Sequence, residues 1–347
     1  SFSVSLFGQE EQWESQFKVT GYVATEYEYF KDIKYFPKDY AFSLTEGGLL
    51  ANYQPLKNLT IKTVFVYRPG FKFDNMVNEA NVEYKINNYL NIKVGRFLTP
   101  LSPMNTYYYA PVNNSATLPI MISHHEFFPL NMDAVSLNGK IGESFKFQYN
   151  VFGGGFRNTL WLKTGSMGLF GYEDTQLIKT DATVDLPDVN ADLSVGGGAH
   201  LGISYLDNLE LGFGFFKSED PFFEPVSQMN LKVEKFSYGF NLKAKLSTLQ
   251  LLAEGWHADV KIFGATTNYD GGFAELSNTF NKVTPYARFE YHYAPATMNT
   301  PSIEFNRYTA GINYKPIFET TMKLEYVRYE HKVTDLDGII ATLIFSF

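Results

Sequence analysis

Apolar and polar residues alternate along most of the chain, a pattern that predicts β-strands with two different faces. From Phe17 onward the odd positions are mainly apolar, whereas Lys18, Glu26 and Glu28 occupy even positions. The same period of two recurs in 59–67, 80–85, 145–151, 236–243, 307–314 and 322–326. The parity changes near Gly47–Gly48, which predicts a bulge or bend there.

The connections between these strands fall into two sets that alternate along the chain. Short connections rich in Asn, Gly, Ser and Pro are predicted at 54–58, 86–88, 141–144, 206–208, 246–248, 280–282 and 315–319. Longer ones are predicted at 30–40, 69–76, 98–131, 155–190, 218–231, 258–271, 294–302 and 332–336. This scheme predicts an all-β protein, a 16-stranded antiparallel up-and-down barrel that ends at Phe347.

The composition favours a barrel that spans a membrane. No apolar run approaches the ~18 residues of a membrane-spanning helix. Aromatic residues nevertheless make up 17% of the chain, with a mean hydropathy of -0.19. Nearly every candidate strand has one polar and one apolar face, rings recur near strand ends, and the polar faces carry charges of both signs. We therefore predict a transmembrane β-barrel in the bacterial outer membrane, apolar toward lipid and polar toward a lumen.

Charge and cysteine content exclude several other classes. The net charge is -8 and no basic run occurs, so a nucleic-acid partner is not expected. The chain has no cysteine, which rules out disulfides and thiolate metal sites. Residues 1–8 are small and apolar, as at the end of a signal peptide, and we expect a remnant there. Residues 9–347 are then expected to form a single barrel domain.

The third long connection, 98–131, is a candidate constriction. It holds several prolines and too many apolar residues for a solvated loop, so we expect this extracellular loop to fold into the pore. The alternative is a loop that covers the barrel mouth or makes a subunit contact. Adjacent histidines at 124 and 125 point to opposite sides of a strand, so no metal site is expected. The candidate constriction residues are Arg96, Tyr108, His124, His125 and Glu126, although the parity of Arg96 also allows the rim.

Charged residues on the polar faces are candidates for the pore wall. Such a wall would select solutes by size and by a transverse field between acidic and basic sides. The candidates are Lys62, Arg68, Glu79, Glu83, Lys85, Lys93, Arg288 and Glu290. The hypothesis is an outer-membrane porin for passive diffusion of small hydrophilic solutes or ions.

Two other functions stay open, and enzymatic activity is not expected. One is a non-conducting structural or binding barrel that uses its loops, for which 155–190 is the candidate surface. The other is a substrate-selective anion or phosphate channel. The glycine-rich stretches 152–156 and 195–200 lack a strand–loop–helix context, and the six histidines show no catalytic spacing. We expect no cofactor.

Several short motifs carry a family resemblance. They are "IKVGRFLTP" (92–100), "VTPYARFEY" (283–291), "RYTAGINYKP" (307–316), "KLEY" (323–326) and "TLIFSF" (342–347). Together they resemble Gram-negative outer-membrane porins related to the phosphate-selective porins, and "SLFGQ" (5–9) resembles exported proteins of the Bacteroidetes. The resemblance implies a homotrimer with an inward-folded third loop, contacts with lipid and lipopolysaccharide, and recognition of Phe347 by the barrel-assembly machinery. The mixed wall charges depart from the phosphate branch.

The terminal strand raises a separate question. Its odd positions from 339 to 347 form an apolar face that suits lipid, and pairing with the first strand would leave no open edge. However, Ile340 and Ile344 then face the lumen. We expect them to pack against another element inside the barrel, either the third long connection or the segment before Phe17.

Overall fold

The chain forms a closed barrel of sixteen antiparallel strands, as predicted. The computed structural model describes residues 14–31, 40–68, 76–106, 109–123, 127–156, 194–206, 208–224, 229–262, 264–295, 302–331 and 335–347. Each strand pairs with its sequence neighbours, and β1 pairs with β16 to close the sheet. The expected signal-peptide remnant, 1–8, lies outside these residues.

The strand bounds follow the predicted order of strands and short turns. The strands are β1 (Gln16–Phe30), β2 (Tyr40–Leu56), β3 (Leu59–Tyr67), β4 (Val77–Lys85), β5 (Asn91–Leu98), β6 (Asn131–Ile141), β7 (Phe145–Phe156), β8 (Ser194–Tyr205), β9 (Leu209–Glu224), β10 (Met229–Leu246), β11 (Leu249–Ile262), β12 (Ala265–Asn278), β13 (Val283–Ala294), β14 (Ile303–Ile317), β15 (Thr320–His331) and β16 (Leu336–Ser346). Two short helices, α1 (Pro103–Thr106) and α2 (Ile120–Ser123), lie between β5 and β6. No helix in the described part of the chain is long and apolar enough to cross a membrane.

The two faces of the sheet have the polarity expected of a membrane barrel. On β1, Val23 and Tyr27 are 43% and 42% exposed on the outside, whereas Ala24 and Glu28 are 1% and 0% exposed inside. The same alternation continues around the described strands. Apolar side chains therefore cover the outer face and polar side chains are enclosed, the inverse of a water-soluble barrel.

The chain terminus is part of the barrel wall. Phe347 and Gly21 exchange two main-chain hydrogen bonds, 2.8 Å and 2.9 Å long, at the β1–β16 seam. The ring of Phe347 lies directly over Gly21, where an added Cβ would come within 2.5 Å of the ring. Pairing of both strands satisfies the backbone groups that an open edge would leave exposed. The same pairing accounts for the apolar aromatic run at 342–347, since its outward side chains belong to the barrel wall.

Two of the predicted long connections were wrong, because their residues belong mostly to strands. β9 continues to Glu224 and β10 begins at Met229, while β11 ends at Ile262 and β12 begins at Ala265. These hairpins extend beyond the apolar part of the outer face. Charged side chains take the outward positions there, as in the 2.8 Å ion pair between Lys232 and Glu219. The apolar alternation that marks the other strands is therefore missing from these ends.

The predicted irregularity in β2 is a bulge at Thr45. Glu46 pairs with Ala24 and Leu44 pairs with Thr25, so Thr45 is the extra residue. Its Oγ1 donates a 3.1 Å hydrogen bond to the carbonyl of Ala24. The bulge lies two residues before the expected glycine pair, and it explains why the apolar positions of β2 change parity.

The segment between β5 and β6 packs inside the barrel. We call its described residues, 99–106, 109–123 and 127–130, the inner segment; they include α1 and α2. Ile340 shares an apolar cluster with Ile120 of this segment. Ile344 lies in a larger cluster that includes Phe127 and Phe128. The two isoleucines that face the lumen are thus buried in clusters to which the inner segment contributes.

Candidate pore and its lining

Main-chain amides of the inner segment are held by carboxylates on the inner wall. The acceptors lie on β2, β11, β13 and β15, so the segment reaches walls that are about half the circumference apart. A segment without regular structure needs such partners, because its buried N–H groups make no hydrogen bonds within a helix or sheet. The pairs are Met104–Glu254 (2.9 Å), Ala110–Glu46 (3.3 Å), Ala116–Glu325 (3.0 Å), Thr117–Glu325 (3.4 Å) and Ile120–Glu290 (2.8 Å).

Two buried arginines hold the middle of the inner segment. Arg288 donates to Glu290 at 2.6 Å and to the carbonyl of Thr117 at 2.9 Å. Arg307 donates to the same Glu290 oxygen at 2.7 Å and to the carbonyl of Leu118. Both arginine side chains are inaccessible to solvent. Their charge is therefore used to anchor the segment and is not presented to a water-filled path.

A second anchor lies on β15. Lys323 Nζ donates to the carbonyls of Ala110 and Ser115, at 2.8 Å each. Glu325, two residues further, accepts from the hydroxyl of Tyr286 at 2.7 Å as well as from the segment. Because Lys323 and Glu325 are both buried, this wall is polar in sequence but covered in the folded barrel.

The wall around β2–β4 carries another set of charges, and two of its carboxylates contact the segment. Glu79 accepts from Lys62 at 2.8 Å and from the hydroxyl of Tyr109 at 2.9 Å. Glu46 accepts from Arg68 Nε at 2.8 Å. The pairs lie on or next to β2–β4 and the arginines on β13 and β14, so the segment is attached to two separate parts of the wall.

Apolar side chains fill much of the interior at the level of the inner segment. The ring of Phe128 lies edge-on to Trp256, with centroids 4.8 Å apart. Phe127 and Phe128 are 0% and 1% exposed and belong to one cluster with Phe216 and Phe152 of the inner wall. Water is excluded from this part of the barrel, so a solvent path at this level cannot be central.

Open space remains beside β4–β8. A cavity of about 370 Å³ lies between these strands and Pro100 of the inner segment. Five residues contribute to its lining, each paired directly with the next across neighbouring strands from β4 to β8. We call them the amide row, after the three asparagines at their centre: Lys85, Asn91, Asn138, Asn150 and His200. Lys140 and Gln148 also line the cavity.

Lysines dominate the uncovered inner wall on the side of the short connections. They occupy inward positions that are exposed or half-buried, namely Lys18, Lys62, Lys85, Lys93, Lys140, Lys146, Lys243 and Lys245. In the described strands, the accessible carboxylates at corresponding inward positions are those of Glu83 and Glu210. Among the described strands, lysines therefore outnumber carboxylates at the accessible inward positions, although the whole chain carries a net charge of -8.

The predicted wall charges thus divide into two groups. Glu83 and Lys93 form a half-buried ion pair at 3.2 Å, and Lys85 lines the cavity. Lys62 keeps a partly exposed side chain beside Glu79. These residues line accessible space or its edge. Arg68, beside Glu46, is mostly buried.

The prediction that the wall residues are exposed to the pore was wrong for three of them. Glu79, Arg288 and Glu290 face the interior but are only 4%, 2% and 2% exposed. Parity predicts correctly that a side chain points inward. It does not reveal that another part of the chain covers it.

The candidate constriction residues need one correction. Arg96 lies on β5, outside the inner segment, and makes a two-pronged contact with Asp133 at 2.7 Å and 2.8 Å. Its strand position shares the outer face with Val94 and Val135, which are about half exposed. It was therefore wrong to group it with the constriction. Tyr108, His124, His125 and Glu126 lie outside the described residues.

Sequence reasoning placed Glu79, Arg288 and Glu290 on the inner wall, but it did not single out three other residues that hold the inner segment. Arg307, Lys323 and Glu325 alternate with outward apolar residues, so parity alone could have placed them inside. Of the amide row, only Lys85 was a candidate; its asparagines were not singled out, because isolated asparagines are typical of turns. Their alignment depends on the register of five strands.

The fold is that of sixteen-stranded outer-membrane barrels, and solved structures of such barrels, several of them porins, are similar to it. No family model and no curated protein sequence matches the chain. OmpT of Vibrio cholerae, an outer membrane protein in its trimer form, has a TM-score of 0.63 at 13% identity, over 96% of this chain and 99% of that one. An anion-selective porin from Comamonas acidovorans has a TM-score of 0.62 at 10% identity, over 96% and 100%. Salmonella typhi OmpF, in a complex with daunomycin, has a TM-score of 0.60 at 10% identity, over 95% and 97%.

Proposed function

We propose that this protein is a porin of the bacterial outer membrane, through which small hydrophilic solutes and ions diffuse passively. One observation carries the proposal. A closed barrel with an apolar exterior encloses polar and basic side chains that remain accessible to water. Such an interior supports an aqueous path across a bilayer, because the lumen gives polar groups the water that hydrocarbon cannot offer.

The inner segment would act as the constriction. In the proposed arrangement the long connections face the cell exterior, and the inner segment folds inward from that side. Its anchors on β2, β11, β13 and β15 hold it across the barrel, and solutes pass beside β4–β8. Size exclusion then depends on the gap between Pro100 and the amide row, and charge bias on the surrounding lysines.

The environment and assembly of the porin are part of the same proposal. The apolar outer face suits lipid and lipopolysaccharide, and a homotrimer agrees with the trimer form described for OmpT of Vibrio cholerae. Phe347, accessible at the barrel seam, would be the residue that the assembly machinery recognises. No catalytic step, metal or cofactor belongs to the proposal. The Bacteroidetes and phosphate-porin resemblance has no matching family model and does not enter it.

Planar-bilayer recording tests the proposal. The protein, folded in detergent and checked by its heat-modifiable electrophoretic mobility, should produce stepwise ohmic currents. Liposomes that contain it should swell in small sugars and stop swelling as the sugar becomes larger. Folded protein that inserts without conductance or swelling would refute a porin.

A second candidate is a closed barrel that serves as a structural or binding protein. The apolar cluster around Trp256, Phe128 and Phe216 favours it, because such a cluster could seal the lumen. The same recording separates the two functions, since a sealed barrel would give no steps in any salt.

A further inference from the structure

We infer that the cavity beside β4–β8 is a binding subsite for small anions that also carry hydroxyl groups. This inference rests on the proposed porin function, since solutes would reach the cavity through the lumen. The amide row would bind the hydroxyl groups, and the lysines at its margins would bind the acid group.

The amide row has the geometry of a built surface. Its five residues are directly opposite one another on β4 to β8, so their side chains share one face at the spacing of neighbouring strands. Hydrogen bonds orient the amides: Asn91 donates to Asn138 at 3.0 Å, and Asn138 donates to Glu83 at 3.4 Å. These bonds fix how the donors and acceptors of the row are presented.

The chemistry of the row suits hydroxyl groups. A primary amide has two N–H donors and a carbonyl acceptor, and a hydroxyl group both donates and accepts. Ser136 donates to Asn150 at 2.9 Å, and the next residue of the row, His200, lies 2.9 Å from the Asn241 amide nitrogen. A solute with several hydroxyl groups can exchange its water partners for several amides at once.

The row next to the amide row also contributes to the lining. Two residues closer to the short connections, Lys140, Gln148 and Gly202 are directly opposite one another on β6 to β8. Lys140 and Gln148 line the cavity. An added Cβ at Gly202 would lie at an ordinary van der Waals distance, 3.6 Å, from the ring of His200. The volume of about 370 Å³ lies near the low end of small-ligand sites.

The charge of the lining favours anions. Lys85 and Lys140 line the cavity, and its described lining contains no aspartate or glutamate. Lys93 stands next to Glu83 and offsets its charge. A cleft lined by one sign of charge with low-dielectric walls raises the local concentration of the opposite ion. Neutral sugars and cations would lack this attraction.

Block of the chloride current in planar bilayers tests the inference, with gluconate, glucose and acetate as probes. Gluconate should reduce the current at lower concentration than either other probe, because it alone has both an acid group and several hydroxyls. In K85Q/K140Q the half-blocking concentration of gluconate should rise about tenfold, the size of losing one charge-assisted hydrogen bond. Asn150→Ala should reduce the preference for gluconate over acetate.

Lys261→Gln is the matched control, since it removes one positive charge from the exposed outer face of β11. It should leave the gluconate block unchanged. Equal block by glucose would overturn the role of charge, and equal block by acetate would overturn the role of the amides. Normal conductance with an unchanged block in K85Q/K140Q would overturn the subsite itself.

The same experiment separates failure of the subsite from failure of the porin. If the folded protein does not conduct, the porin proposal fails, and gluconate binding is measured directly by calorimetry on the detergent-solubilised protein. Binding that weakens in K85Q/K140Q but not in Lys261→Gln would support the subsite even then. No binding at millimolar gluconate would overturn it.

Discussion

Arg307 and Glu290 form a buried ion pair, 2.7 Å from guanidinium Nε to carboxylate Oε1, and neither residue reaches solvent appreciably. The same carboxylate accepts from the main chain of Ile120. The pair therefore connects the barrel wall to the inner segment. The loss of one partner of a buried ion pair strongly destabilises a protein, because the other charge is left without compensation.

Replacing Arg307 with alanine should loosen the inner segment and destabilise the barrel. The loss should be about 3–5 kcal/mol, the usual effect of removing one member of a buried pair. Urea unfolding in detergent micelles measures the stability, and hydrogen exchange at 109–123 measures the segment. Arg328→Ala, in a more exposed ion cluster on β15, is the control and should cost at most about 1 kcal/mol. Equal effects of the two changes would contradict the anchoring role.

Trp256→Ala should widen the lumen. Trp256 packs against Phe128 at the centre of the apolar cluster, and its removal leaves a cavity next to the inner segment. We expect a cost of about 3–5 kcal/mol and a larger single-channel conductance, with larger sugars admitted in liposome swelling. Phe240→Ala removes a ring from the outer face and should leave conductance unchanged. Unchanged conductance in Trp256→Ala would show that this cluster does not limit the path.

The basic inner wall should make the channel prefer anions. In a potassium chloride gradient, the reversal potential of the wild type should indicate chloride permeation. The double variant K93Q/K146Q should move it toward the potassium value, because the local potential that attracts anions is reduced. High salt should weaken the difference by screening. Lys217→Gln, an outward-facing position on β9, should not move the potential; a shift as large as that of K93Q/K146Q would argue against a wall effect.

Deleting Phe347 should impair assembly. The deletion removes two main-chain hydrogen bonds to Gly21 and the ring that covers it. We expect a smaller fraction of folded, heat-modifiable protein in outer-membrane preparations and an easier opening of the β1–β16 seam. Phe318→Ala changes an exposed ring in the β14–β15 turn and should assemble normally. Normal assembly of the deletion variant would remove the proposed role of the terminal residue.

Strand number and facing were predictable, because both depend on short-range periodicity. A strand alternates its side chains whatever lies next to it, so Glu26, Lys62 and Arg288 could each be placed inside. The same dependence on alternation explains why the ends of the β9–β10 and β11–β12 hairpins were predicted as irregular connections. Charged side chains take outward positions at these ends, so the apolar alternation of the other strands is missing there.

The candidate site was less predictable, since it depends on what covers the wall. Glu290 and Lys93 look alike in sequence, as charged residues that alternate with apolar ones. In the barrel, Glu290 is sealed by Ile120 and two arginines, whereas Lys93 stays half-buried beside Glu83. The difference comes from the course of the inner segment, which no local pattern specifies.

The sixteen strands, the apolar exterior and the pairing of the last strand with the first follow from local sequence, because each depends on the alternation and spacing of neighbouring residues. Which inward charges meet water depends instead on contacts between distant parts of the chain. The inner segment covers the arginine and glutamate wall and leaves the lysines and the amide row open, since its buried amides and carbonyls need charged partners while its apolar rings need a dry interior. Those long-range requirements, satisfied by residues up to 213 positions apart, set the character of the lumen.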